Sequence, residues 1–95
     1  RQPGFQVPYA DRVRHETGIA AMAVGLITHP QQAEQILAEG RADLIAIGRE
    51  ALVDPNWGLH AAQVLGHDTT FETWPEQSGW WLSRRAMFSD FYEPE

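Results

Sequence analysis

Two short aliphatic runs, each ending in a glycine, constrain the fold of this chain more than any other feature. The first, within IAAMAVG, predicts a strand from Ala20 to Val24, and the second, within DLIAIGR, predicts a strand from Asp43 to Ile47. Runs this apolar and this short are typical of strands buried on both faces, as in parallel sheets that helices cover. The sequence therefore predicts an α/β fold.

The segment between the two strands has the pattern of an amphipathic helix from Pro30 to Glu39. Thr28 and Gln31 match a capping box at its start, and Gly40 ends it. The residues predicted to face the sheet are Ala33, Ile36 and Leu37. Because two strands joined by a helix normally pair in parallel with a right-handed crossover, their carboxyl ends should meet at one sheet edge.

Further helices are predicted on both sides of this unit. One begins at Pro8, ends at Gly18 and has an apolar side made of Tyr9, Ala10 and Val13. A brief helical turn follows Arg49, and a longer helix then runs to Gly66 with Trp57, Ala61, Val64 and Leu65 turned inward. The organisation predicted from this pattern is a strand-and-helix region over residues 1–66 and an extension over residues 67–95.

Composition excludes several classes of function. The 95 residues carry a net charge of −6, and all seven basic residues are scattered arginines, which argues against nucleic-acid binding. Without cysteine there is no disulfide, thiolate metal site or cysteine nucleophile, and the four histidines have no metal-ligand spacing. No apolar run reaches the roughly 18 residues that span a bilayer. We expect a soluble cytoplasmic protein, and because the chain starts within a loop and without methionine, a longer polypeptide.

The chemistry suggested by the residues lies where the strands end. Gly25 and Gly48 follow the two strands, and Arg49 adds a planar, permanently charged group suited to two phosphate oxygens. Glycine lets a backbone approach a ligand closely, and the N–H groups of a strand-to-helix turn attract anions. The alternative is that the glycines only form turns and that Arg49 is solvated or paired with Glu50 or Asp54.

Four stretches resemble the carboxyl-terminal part of the Old Yellow Enzyme family, the FMN-dependent ene-reductases related to NADH:flavin oxidoreductases. They are PGFQVPYADRVRHETGI, AVGLIT, AEQILAEGRADLIAIGREALVDPNW and WPEQSGWW. The resemblance implies a partial (β/α)8 TIM barrel, consisting of the last two βα units and a tail. It also implies that Gly25, Gly48 and Arg49 hold the FMN phosphate, while the catalytic residues lie upstream of Arg1.

The function implied by this resemblance is reduction of an activated alkene, with NADH or NADPH as hydride donor and FMN as carrier. Two alternatives remain at this point: a phosphate-binding barrel enzyme acting on a phosphorylated metabolite, and a non-catalytic, half-barrel-like assembly module. Two strands alone leave an edge and an apolar face bare, so we expect a homo-oligomer or a larger assembly. Trp57, Trp74, Trp80 and Trp81 are interpreted as packing residues, with a subunit contact in the extension as a second role.

Overall fold

The computed structural model of the protein describes residues 1–88, which contain five helices and one two-stranded sheet. The helices are α1 (Val7–Thr17), α2 (Pro30–Ala38), α3 (Arg49–Val53), α4 (Trp57–Val64) and α5 (Glu76–Ala86), and the strands are β1 (Met22–Ala23) and β2 (Leu44–Ile45). The chain divides into two compact units, Arg1–Trp57 and a second that begins at Gly58. No helix within residues 1–88 is long and apolar enough to cross a membrane.

The two strands of the first unit pair in parallel, with Met22 opposite Leu44 and Ala23 opposite Ile45. This confirms the predicted α/β pairing, although both strands are shorter than the predicted five residues. Gly25 takes a φ of 108°, which turns the chain away from the sheet directly after Val24. The order helix, strand, helix, strand brings the carboxyl ends of both strands to one edge.

The core of the first unit lies between the sheet and helices α1 and α2. Its buried members are Val7, Ala23, Ile27, Ala33, Ile36 and Ala42. The prediction for Leu37 was wrong, since this side chain is 38% exposed. Ala33 and Ile36 lie three positions apart and form the face that packs in the core. Leu37, the next residue, lies beside this face and not on it.

The predicted apolar side of α1 was also wrong in two positions. Tyr9 is 70% exposed and Val13 is exposed as well, whereas Val7 is buried and Ala10 packs against the core. Val7 and Ala10 are three positions apart and therefore share one face of the helix. Gly18 ends the helix in the left-handed conformation, as predicted, with a φ of 73°.

Helix α2 begins at Pro30, as predicted, but its N-terminal capping residues lie one position later than predicted. His29 is the N-cap, and the side chain of Gln32 accepts a hydrogen bond from the Thr28 N–H at 3.0 Å. The box predicted for Thr28 and Gln31 is therefore displaced by one position. Pro30 occupies the first turn, where its missing N–H has no cost.

One face of the sheet is left uncovered by the first unit. Met22, Val24 and Leu44 are all exposed, and Leu44 is 60% accessible, while Ala23 between the first two is buried. Side chains alternate between the two faces of a strand, so these three apolar residues belong to the same face. The prediction that two strands would leave apolar surface bare is confirmed.

The amino end of the sheet is held by charged groups that all have partners. The Asp43 carboxylate accepts from the Ala21 N–H at 2.8 Å and from Arg14 Nε at 3.1 Å. Arg14 also donates to the Gly40 carbonyl at 2.7 Å, and Arg41 forms an ion pair with Asp11 at 3.1 Å. The Ala21 N–H, together with Arg14, lowers the pKa of Asp43 below its ordinary value.

The second unit is organised by a buried carboxylate that the sequence did not reveal. Asp68 accepts hydrogen bonds from the Glu72 N–H at 2.8 Å and the Thr73 N–H at 3.0 Å, and a short one from the Thr73 hydroxyl. The Thr73 hydroxyl is the main cause that lowers the pKa of Asp68. At Gly79 in α5 an added Cβ would lie 2.5 Å from the Phe71 carbonyl oxygen, so only glycine fits there.

The inward prediction for Val64 was wrong, and two tryptophans interpreted as packing residues lie at the surface of this unit. Val64, Trp80 and Trp81 are exposed, with Trp81 63% accessible. The two tryptophans pack edge-on against each other, with ring centroids 4.6 Å apart, and the Arg84 guanidinium lies 4.1 Å from the Trp80 ring centroid. The predicted division after residue 66 stays a prediction.

Candidate functional site

A cleft of about 160 Å³ lies at the carboxyl ends of β1 and β2. Its walls are residues 24–28, which follow β1, and residues 46–50, which follow β2. Gly25, Gly48 and Arg49 all line it, so the structure brings together the three residues singled out from the sequence. His29, which follows the same loop, is not among the lining residues.

Backbone N–H groups in the cleft walls are available as hydrogen-bond donors. Within residues 1–88, the N–H groups of Gly25, Leu26 and Gly48 donate to no carbonyl or side-chain oxygen. Backbone N–H groups away from regular structure need water or a ligand as acceptor. Donors gathered at one edge of a sheet can therefore serve an anion.

Gly25 and Gly48 serve the cleft in different ways. Gly25 has a φ of 108°, and an added Cβ would lie 3.3 Å from atoms of Gln6 and Phe5. Gly48 has a φ of −115°, and an added Cβ would meet no protein atom within 4 Å. The left-handed conformation that favours glycine is thus found at Gly25 and not at Gly48. No protein atom fills the space beside Gly48, a residue that lines the cleft, so a ligand could come close to the backbone there.

The Arg49 side chain is exposed and forms no hydrogen bond or ion pair within residues 1–88. By contrast, Arg12, Arg14 and Arg41 each pair with a carboxylate. Pairing of Arg49 with Glu50 is not observed in this part of the chain, and the exposed side chain agrees with the other form of the alternative, a solvated arginine. Glu50 also lines the cleft, so an anion bound there would have one positive and one negative neighbour.

The loop after β1, residues 25–28, is held in an unusual conformation by hydrogen bonds. Leu26 has a φ of 49°, which is uncommon for a residue with a side chain. Its carbonyl accepts from the Gly4 N–H and from Gln32 Nε2, both at 3.1 Å, and the Thr28 carbonyl accepts from Trp57 Nε1 at 3.0 Å. We call residues 25–28 the first cleft loop.

Sequence reasoning missed the two side chains that hold the first cleft loop. Trp57 was interpreted as a packing residue, and it does pack against the core, but its indole N–H also donates to Thr28. Gln32 could have been found, because a glutamine at the third helical position is a common partner of the preceding loop. Nothing in the sequence indicated which carbonyl the Trp57 indole would reach.

Comparison with known proteins identifies the family. The sequence model of the NADH:flavin oxidoreductase / NADH oxidase family matches residues 3–68. The chain belongs to this family. The matched range includes both strands and the whole cleft, so the family resemblance first noted in the sequence is confirmed.

Individual relatives in this family are similar over the same part of the chain. An NADPH dehydrogenase of Listeria innocua serovar 6a is 56% identical over 64 residues, which are 67% of this chain and 19% of the relative. An NADPH dehydrogenase of Geobacillus thermodenitrificans is 55% identical and one of Halalkalibacterium halodurans is 56% identical. In both cases the match again covers 67% of this chain and 19% of the relative. The chain thus matches about a fifth of the length of these curated relatives.

Proposed function

We propose that this chain is the FMN phosphate-binding portion of an NAD(P)H-dependent flavoprotein that reduces activated alkenes. The observation that carries the proposal is that one cleft is lined by Arg49 and by Gly25 and Gly48, whose N–H groups have no acceptor within residues 1–88. Family membership and the NADPH dehydrogenase names of the relatives support flavin and NADPH as reactants. The catalytic residues of such an enzyme are proposed to lie in the remainder of the polypeptide.

The residues of the cleft fit the phosphate end of FMN. Arg49 can offer two parallel N–H donors to two phosphate oxygens, and its charge has no carboxylate partner within residues 1–88. The N–H groups of Gly25, Leu26 and Gly48 supply neutral donors, and the open space beside Gly48 permits close approach. When bound, FMN would supply hydride transfer from NADH or NADPH to the alkene.

The uncovered face of the sheet supports the barrel part of the proposal. In a (β/α)8 barrel, the inward side chains of each strand are covered by those of the other strands. Met22, Val24 and Leu44 have the apolar character and the common direction that such an interior requires. We therefore propose that β1 and β2 are the last two strands of the barrel, within a soluble, homo-oligomeric enzyme.

A test separates phosphate recognition from recognition of the flavin ring. FMN and riboflavin differ only in the phosphate, so the ratio of their affinities for the complete flavoprotein measures the contribution of the cleft. Arg49→Ala should lower FMN affinity by roughly tenfold to a hundredfold, since hydrogen bonds to charged groups contribute about 1.5–3 kcal/mol. Riboflavin affinity should stay unchanged, and Arg49→Lys should recover only part of the loss.

The matched control is Arg12→Ala, which removes an exposed arginine that pairs with Glu16 one helical turn away. It changes the net charge by the same amount and should leave both affinities unchanged. Affinities are measured by the recovery of flavin fluorescence on dissociation. Equal affinity of wild type and Arg49→Ala for FMN would refute the phosphate role of the cleft.

A further inference from the structure

Trp57 links the two walls of the cleft. Its indole Nε1–H donates to the Thr28 carbonyl at 3.0 Å, and its backbone N–H donates to the Asp54 carbonyl at 3.0 Å. Thr28 ends the first cleft loop, whereas Asp54 directly follows α3, the helix that begins with Arg49. One residue therefore joins the segment after β2 to the loop after β1.

The first cleft loop depends on such support because its backbone is held away from the common conformations. Gly25 has a φ of 108° and Leu26 a φ of 49°. A residue with a side chain adopts positive φ only at an energetic cost, so a loop without support would relax to negative φ. That relaxation would rotate the N–H groups of Gly25 and Leu26, which are the donors that face no acceptor within residues 1–88.

The support comes from two sides. Gln32 donates to the Leu26 carbonyl at 3.1 Å and accepts from the Thr28 N–H at 3.0 Å. On the other side, the Trp57 indole N–H donates to the Thr28 carbonyl. The Trp57 ring is partly buried against the core, so the indole cannot swing away without losing packing. Its N–H needs an acceptor in that position, and Thr28 is the acceptor it has.

We infer that Trp57 is a positioning residue for phosphate recognition, which fixes the first cleft loop through the Thr28 carbonyl. The inference rests on the proposed function, because it concerns the same phosphate site. Trp57 does not line the cleft, so its effect on the phosphate passes through the backbone of the loop. Packing alone would require only the ring, whereas positioning requires the N–H group.

The experiment uses Trp57→Phe in the complete flavoprotein, since phenylalanine keeps an aromatic ring and removes the donor. FMN affinity should fall by about threefold to tenfold, the range for loss of one neutral hydrogen bond. Riboflavin affinity should stay at the wild-type value, because the loop would contact only the phosphate. A merely structural role would lower both affinities together or neither, and either of these results would overturn the inference.

The matched control is Trp74→Phe, which removes an indole N–H that has no acceptor among the described residues. It should leave the ratio of the two affinities unchanged. Gln32→Met is the second variant, because it removes both contacts of Gln32 with the loop at nearly the same side-chain length. It should show the same selective loss of FMN affinity, and its failure to do so would overturn the inference even if Trp57→Phe does not fold.

Failure of the inference can be distinguished from failure of the proposed function. If wild type binds FMN and riboflavin equally, the cleft does not recognise phosphate and the proposed function is refuted. If Arg49→Ala lowers the ratio of FMN to riboflavin affinity and Trp57→Phe does not, the phosphate site stands and the positioning role of Trp57 is refuted. Faster hydrogen exchange at the Thr28 amide, which donates to Gln32 at 3.0 Å, in Trp57→Phe without flavin would support the positioning role independently.

Discussion

Alanine at Gly25 and alanine at Gly48 should affect different properties of the protein, although both glycines line the same cleft. At Gly25 the φ of 108° is unfavourable for alanine, and the new Cβ would lie 3.3 Å from Gln6 and Phe5. Left-handed backbone costs about 1–2 kcal/mol for a residue with a side chain, and adjustment of the two neighbours adds to it. We expect Gly25→Ala to lower the free energy of unfolding by about 2–3 kcal/mol.

At Gly48 the same substitution should leave folding nearly intact. The φ of −115° lies outside the left-handed region, and no protein atom lies within 4 Å of the new Cβ. The expected change in the free energy of unfolding is below about 1 kcal/mol, the range for exchanging glycine at a helix N-cap. The methyl group would instead occupy space that the phosphate needs, and an overpacking cost of about 1–3 kcal/mol corresponds to a loss of FMN affinity of roughly fivefold to a hundredfold.

The assay compares urea midpoints of the flavin-free variants with their FMN affinities. Gly25→Ala should shift the midpoint without changing the slope, and Gly48→Ala should lower affinity at an unchanged midpoint. Gly18, whose added Cβ also meets no atom within 4 Å but whose φ is 73°, provides a control away from the cleft. Gly18→Ala should lower stability without changing affinity. Wild-type FMN binding by a folded Gly48→Ala variant would refute the reasoning about the open space.

Two further predictions concern stability and association. Because the pKa of Asp43 is lowered in the folded state, its contribution to stability is present above the ordinary value of 3.8 and is lost as pH falls through the folded pKa. Asp43→Asn should therefore lower the urea midpoint at neutral pH, and the difference from wild type should shrink below about pH 3.8. This chain alone should self-associate through the uncovered sheet face, and Leu44→Lys should reduce its sedimentation coefficient toward that of a monomer. A monomeric wild-type chain at high concentration, or an unchanged pH profile in Asp43→Asn, would contradict the respective prediction.

The parts of the fold that the sequence predicted are those governed by local patterns. Apolar runs bounded by Gly25 and Gly48 revealed the two strands, and the meeting of these glycines at one edge followed from the parallel connection. The inward faces of α1 and α2 were less predictable. Tyr9 and Leu37 have side chains that could be buried in a core, but both are exposed in this structure. Periodicity gives the spacing of a helix face but not the angle at which the helix meets the sheet.

The supports of the cleft were not predictable for a related reason. Gln32 and Trp57 act on backbone carbonyls, and a carbonyl has no signature in the sequence. Asp68 and Thr73 are similar, since their contacts depend on the path of an irregular loop. Residue types indicated where an anion could bind, whereas the side chains that hold the first cleft loop became evident only from three-dimensional contacts.

The charged network at the amino end of the sheet has a consequence for how this protein can change. Arg14, Asp43, Arg41 and Asp11 tie α1 to the segment before β2, and every one of these charges has a partner there. At the opposite end, the Arg49 side chain has no hydrogen bond or ion pair within residues 1–88, and no atom of this range lies within 4 Å of a Cβ added at Gly48. Mutational tolerance should therefore be distributed unevenly along the strands. In laboratory evolution, the residues after β2 should accept substitutions with little loss of stability, whereas substitutions before β2 should break contacts that hold the scaffold together.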